Sequence, residues 1–295
     1  MARPGAFPRV CSAALALLLA SACAPRAKGW GEPRVQELTT GTARFRIVYF
    51  PEDAAVAGQV RHALEKAVPR IDRWGGLRYA VTVTIHPSHD ALEVAVDRRG
   101  YAWLHAWARF QTIDLQSPRT WSFFGPSERE LEELFTHELT HCAMYQLAGG
   151  EMTWMYKEIP RWFSEGLATV TAGQGDRYAG LEDLLRFYAE SAAGAGYGDP
   201  GRARPTVSVM AQPGDPVVDP DPIYQDQWRI VYGAGHQATE FLVARYGEAR
   251  ILDLMRVMGT GLRFPAAFRQ VIGITDAEFA ADFRRYVIWQ GWRKE

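Results

Sequence analysis

The chain is short of cysteine and lysine, has no surplus of positive charge, and contains no apolar run of bilayer-spanning length. Three cysteines in 295 residues, Cys11, Cys23 and Cys142, do not make a disulfide framework. Cys11 lies in the N-terminal leader described below and Cys23 directly after it; with Cys23 lipidated, Cys142 has no partner and no disulfide is expected. The formal net charge is -1, with arginine supplying most of the basic residues. Nothing in that balance favours nucleic acid, and no nucleic-acid partner is expected. The apolar run from Ala13 to Ala20 is too short for a permanent membrane span. No internal repeat is visible. What remains is an ordinary globular composition, 47% hydrophobic and 23% charged, long enough for one large domain or two small ones.

Residues 1–22 have the form of a secretion signal. Arg3 and Arg9 make a basic start with no acid, followed by the apolar run. The segment closes on Leu19-Ala20-Ser21-Ala22-Cys23, which resembles a bacterial lipobox. That resemblance implies lipidation of Cys23, a membrane contact through an N-terminal lipid anchor, and Ala24 compatible with sorting to an outer membrane. Ordinary cleavage at the same bond stays open, since Ala20-Ser21-Ala22 also suits it. Either way the chain is expected to be exported to the bacterial cell envelope, with residues 23–41 as a tether.

Five residues carry the chemistry: His137-Glu138-Leu139-Thr140-His141, an H-E-x-x-H pattern. On a helix, positions i and i+4 share one face, so the two imidazoles can grip a single ion, for which zinc is the usual choice. Glu138 stands beside the first ligand, where it can take a proton from an activated water as general base. The pattern implies hydrolysis of a polar carbonyl. Its surroundings support a helix: Ser127 to Glu130 reads as a capping box, and Leu131, Leu134, Phe135 and Leu139 form an amphipathic stripe over 127–147. Cys142, next on the helix, reads as a small buried hydrophobe.

A catalytic zinc site needs a third protein ligand and an open position. About two dozen residues downstream lies Trp162-Phe163-Ser164-Glu165-Gly166-Leu167-Ala168, on a helix expected over 158–172 with Pro160 in its first turn. H-E-x-x-H followed by W-x-x-E-G-x-A resembles the gluzincin metallopeptidases, and more closely the bacterial peptidase MA-like domains, distant relatives of the M1 aminopeptidases. The resemblance covers roughly residues 43–290. It implies that Glu165 is the third zinc ligand, with His137 and His141, for one Zn2+. It implies an α+β, zincin-like fold with a small N-terminal β-sheet, the H-E-x-x-H helix and a helical C-terminal part marked by Tyr232 to Tyr286. Two departures stand out. The position four after Glu165, where some gluzincins carry an Asp that orients a zinc histidine, is Thr169. No G-x-M-E-N segment is present to hold a substrate amine, which favours an endopeptidase over an aminopeptidase.

Periodicity places strands at 42–50, 81–85 and 108–115 and helices after Pro51, at 90–97 and at 181–192. The 108–115 strand is expected at the sheet edge, where an extended peptide would pair with it. Residues 194–225, rich in Gly, Pro and Asp, read as a long loop, a lid over the cleft or plain disorder. A last helix opens at the Thr275 capping box. The expected division is an N-terminal subdomain at 42–150 and a helical one at 151–295. An oxyanion donor is sought in Tyr232 or His236, one turn apart, and a Tyr in this region has that role in the M1 relatives. His62, His86, His89 and His105 show no ligand spacing. The sequence thus points to a zinc metallopeptidase acting on a peptide or protein. An exported lipoprotein with a structural zinc site for binding or assembly, or a zinc hydrolase of a non-peptide amide, remain as alternatives.

Overall fold

The structure, a computed structural model, describes residues 30–194 and 213–289. The leader, Cys23 and the loop positions 195–212 lie outside the described residues. The fold is α+β. Its strands are β1 (Arg34–Thr40), β2 (Ala43–Tyr49), β3 (Val81–His86), β4 (Ala106–Ala108) and β5 (Thr112–Gln116), in one sheet of order β1-β2-β3-β5-β4. Strands β2, β3 and β5 are parallel, while β1 and β4 run antiparallel at the two edges. The helices are α1 (Ala54–Ile71), α2 (His89–Val96), α3 (Glu128–Ala148), α4 (Arg161–Ala172), α5 (Leu181–Gly194), α6 (Asp221–Tyr224), α7 (Trp228–Tyr246), α8 (Glu248–Gly259), α9 (Phe264–Ile272) and α10 (Asp276–Ile288).

Alternation in the strands puts Phe45, Ile47, Val83, Ile85, Ile113 and Leu115 on one face, where they bury against α1 and the first half of α3. A second core gathers Trp162, Phe163, Leu167, Phe241, Phe264, Phe268 and Phe279 from the later helices. Trp74, Met144, Leu147 and Ala148, all before residue 150, pack into that second core. Helix α3 therefore belongs to both cores. The capping boxes at Ser127/Glu130 and Thr275/Glu278 are both formed.

Three expectations need correction. The single strand at 108–115 is a hairpin: β4 turns through Arg109–Gln111 into β5, closed by Arg109 N–H to the Thr112 carbonyl at 2.8 Å. Phe110 is buried at the turn against Tyr79, and α3 holds the bend, Cys142 Sγ donating to the Arg109 carbonyl and Gln146 Nε2 to that of Phe110. The sheet edge is thus β4, and β5 is interior. Second, the tether is expected to run through residue 41, whereas residues 34–40 form β1, paired along its length with β2. Its seven residues are exposed or half-buried, so hydrophobic alternation does not mark it. Third, the amphipathic stripe expected on α3 widens to the whole circumference in its middle, where every residue from Phe135 to Met144 is buried.

Candidate metal centre

Helix α3 places His137 and His141 one turn apart with their Nε2 atoms 3.2 Å from each other. Across from them, α4 delivers Glu165, whose Oε2 is 3.3 Å from His137 Nε2 and 3.4 Å from His141 Nε2. A tetrahedral ion with bonds of about 2.0–2.1 Å keeps its ligand atoms about 3.3–3.4 Å apart. The three edges match that spacing. Both imidazoles are buried and the Glu165 side chain is 12% exposed. Glu165 Oε2 lies within ion-pair distance of both rings yet makes no aligned hydrogen bond with either. Two nitrogen atoms and a carboxylate oxygen converging in this way, buried and without a hydrogen bond that accounts for the oxygen, fit one shared cation. Burial pushes the Glu165 carboxyl up, but its interactions with the facing rings of His141 and His137 outweigh it and hold the group well below the usual carboxylate range.

The closeness of α4 to its other neighbour fixes where Glu165 points. Gly166 lies against Gly235 of α7, and a methyl group on Gly166 would stand 2.1 Å from the Gly235 carbonyl oxygen. The helices touch backbone to backbone here, which no larger residue after Glu165 would permit.

An amide oxygen orients the first histidine: His137 Nδ1 is 3.0 Å from Gln174 Oε1, so Nδ1–H donates and Nε2 is left as the ligand atom. Gln174 is buried, just beyond the C-terminus of α4. Thr169, the position of the expected Asp, bonds instead to the Gly166 carbonyl and stands 3.3 Å from His236 Nδ1. Sequence reading did not reach Gln174. Its one signal is its place shortly after the second motif, at the helix-terminating Gly173.

Glu138 is buried beside His137. Burial raises its carboxyl to about 7; His137 opposes this, Glu165 adds to it, and a hydrogen bond from the Ala108 backbone N–H opposes it again. That last contact ties the general-base candidate to β4. A cleft opens over His137 and Glu138, walled by Trp103, His105, Trp121, Tyr178, Trp228 and Tyr232. Four of these, Trp103, Trp121, Tyr178 and Trp228, carry no signal in the sequence. His105, read there as ordinary, stacks on Trp121 at 4.4 Å and sets Nδ1 3.1 Å from Gln116 Oε1.

Of the two oxyanion candidates, the structure brings only Tyr232 to this cleft. Its ring lies 6.0 Å from that of His137 and its hydroxyl is 3.2 Å from the Tyr224 hydroxyl. Burial, and then the Glu165 charge, push its phenol well above the ordinary value, so it stays a donor. His236 faces a separate hollow lined in part by Val170 and Gly173, and is packed against Gly175. Cys142 is fully buried, and that burial raises its thiol well above normal, which makes it an inert packing group.

No protein-family model matches the chain, and no curated protein does. Among solved structures, a two-domain M1 zinc metallopeptidase mutant bound to L-arginine is similar at 15% identity and TM-score 0.41, over 89% of this chain and 52% of the other. An M1 zinc metallopeptidase from Deinococcus radiodurans is similar at 16% identity and TM-score 0.40, over 90% and 52%. An aminopeptidase N family protein from Idiomarina loihiensis follows at 11% identity and TM-score 0.36, over 87% and 41%. The chain spans about half the length of these structures or less. Likeness at this level leaves function to the residues of the site.

Proposed function

We propose that the chain is a zinc-dependent metallopeptidase, an endopeptidase exported to the cell envelope. The observation that carries the reading is the buried triangle of His137 Nε2, His141 Nε2 and Glu165 Oε2 with edges of 3.2–3.4 Å, with buried Glu138 alongside. A structural site has no need of that adjacent carboxyl. When bound, zinc supplies a Lewis acid that acidifies a water and polarises a substrate carbonyl.

The chain's own residues do the rest. Glu138, held near neutrality at about 7, takes the proton of the attacking water and returns it to the leaving amine. Gln174 keeps His137 in the tautomer that presents Nε2. Tyr232 donates its hydroxyl proton toward the developing oxyanion. The free edge of β4 offers backbone groups to an extended peptide, in a register set by the Ala108 contact with Glu138. The aromatic walls exclude water and favour an apolar or aromatic side chain next to the scissile bond.

The test is the metal content of wild type beside His137→Ala and Glu165→Ala, followed by peptide hydrolysis with Glu138→Gln. About one zinc per chain, lost in both ligand variants, with hydrolysis abolished but zinc retained in Glu138→Gln, is expected. Folded wild type that takes up no zinc on reconstitution would remove the enzyme reading. Zinc without hydrolysis of any peptide would turn it toward a structural site or a non-peptide amide.

A further inference from the structure

Two large apolar side chains stand almost wholly in solvent: Phe123 is 95% exposed and Phe124 93%, with their rings edge to face at 5.1 Å. They lie between β5 and α3. Because β2, β3 and β5 are parallel, their C-terminal ends share one edge of the sheet. Antiparallel β1 begins at that same edge, Arg34 opposite Tyr49. The first described residue, Trp30, sets its ring 6.4 Å from Phe50, directly after β2. Three residues on, the buried Asp53 carboxylate accepts from Ser117 Oγ at 2.5 Å and Arg119 Nε at 2.8 Å, joining the chain after β2 to the chain after β5. Trp121 is pinned there too, its indole donating to the Gln116 carbonyl at 3.0 Å. The Phe123–Phe124 tip and the point where the N-terminal segment enters the fold are therefore on one edge of the molecule.

From these positions we infer that this edge faces a lipid bilayer and that Phe123 and Phe124 insert into its interfacial zone. Cys23 is seven residues before Trp30, a reach of at most about 25 Å when extended. A chain held at Cys23 keeps this edge near the membrane surface. The pair projects almost wholly into solvent, an arrangement suited to a soft apolar phase. An apolar tip in the interfacial zone adds a second membrane contact and fixes which edge of the fold faces the surface. Trp121, two residues before the tip, also walls the cleft over Glu138, so the inserted tip would hold the cleft mouth close to the bilayer. The inference goes beyond the metallopeptidase reading and does not need it.

The experiment is co-sedimentation of the chain from Ala24 onward, which keeps every described strand and helix, with vesicles of phosphatidylethanolamine and phosphatidylglycerol. Wild type is compared with Phe123→Ser/Phe124→Ser. Both side chains are outside the core, so the variant is expected to keep its circular dichroism, zinc content and peptide hydrolysis in solution. Vesicle partitioning is expected to fall on the order of tenfold for each Phe removed. Equal partitioning of the two proteins, or no partitioning of wild type, overturns the inference. So does a concentration-dependent dimer, seen by sedimentation velocity without lipid and lost in the variant while vesicle binding is absent, which would make a second copy the occupant. A variant that loses peptide hydrolysis in solution with no change in vesicle binding overturns it in favour of a substrate contact.

Discussion

Gln174→Ala removes the one hydrogen bond that holds His137 in its ligand tautomer. The native contact is 3.0 Å, buried, and made by a neutral amide. A neutral hydrogen bond contributes about 0.5–1.5 kcal/mol net, and the freed imidazole also regains a second tautomer and ring orientations that must be lost again on binding. Partners of this kind cost about 10–100-fold in metal affinity when removed. An amide is a weaker acceptor than a carboxylate, so the loss belongs at the low end: about tenfold, or about 1.4 kcal/mol. Gln174→Glu supplies a charge-assisted bond instead, and zinc affinity should recover to wild type or rise above it. That variant buries a third carboxylate in a site that already holds Glu138 and Glu165, so its metal-free form should be less stable than wild type. The assay is competition for zinc against a chromophoric chelator at pH 7.5, with circular dichroism to check the fold. Affinity within twofold of wild type in Gln174→Ala, with an intact fold, would refute the claim that this bond orients the ligand. Weaker binding in Gln174→Glu than in Gln174→Ala would show that charge in the pocket matters more than orientation of His137.

The parts of the site legible in the sequence were those confined to one helix. His137, Glu138 and His141 share a turn of α3, so spacing alone places them together. Glu165 was reachable only through the second motif, because its approach depends on how α4 packs, and that packing rests on Gly166 meeting Gly235 69 residues away. Gln174 was not reachable at all: an amide carries no motif, and its function comes from a loop that turns back over the α3 histidines. The fold shows the same boundary. Helices with capping boxes were placed almost to the residue, since their signals are local. The 108–115 segment reads as one strand because polar and apolar residues are mixed throughout it, but its apolar phase changes between Phe110 and Ile113, and there the turn is held by Cys142 and Gln146 of α3. Strand β1 was missed for the converse reason, since it takes its order from pairing with β2 and buries no complete face of its own.

Three further predictions test separate parts of this account. Gly166→Ala forces a methyl against the Gly235 carbonyl oxygen at 2.1 Å, well inside any tolerated contact. Overpacking of about 2–3 kcal/mol should outweigh the roughly 1 kcal/mol gain in helix propensity, so urea denaturation should show a less stable protein with weakened zinc uptake. Tyr232→Phe should lower kcat by about 100-fold or more with zinc content unchanged, and unaltered kcat in steady-state peptide hydrolysis would exclude it as the oxyanion donor. The last concerns Glu138, whose carboxyl titrates near 7 in the fold against an ordinary 4.5, chiefly through burial. Between those two values the folded state holds a proton that the unfolded state has released. The stability this proton represents is complete below pH 4.5 and is lost as pH rises through about 7. Glu138→Gln cannot titrate and resembles the protonated form in shape. In metal-free protein it should therefore match wild type near pH 4 and exceed it above pH 7, by up to about 3 kcal/mol for a shift of this size. Urea denaturation in a chelating buffer at pH 4.5 and pH 8 reads the difference directly. A stability gap that stays constant between the two pH values would mean that Glu138 titrates normally and that its burial beside His137 does not raise its pKa.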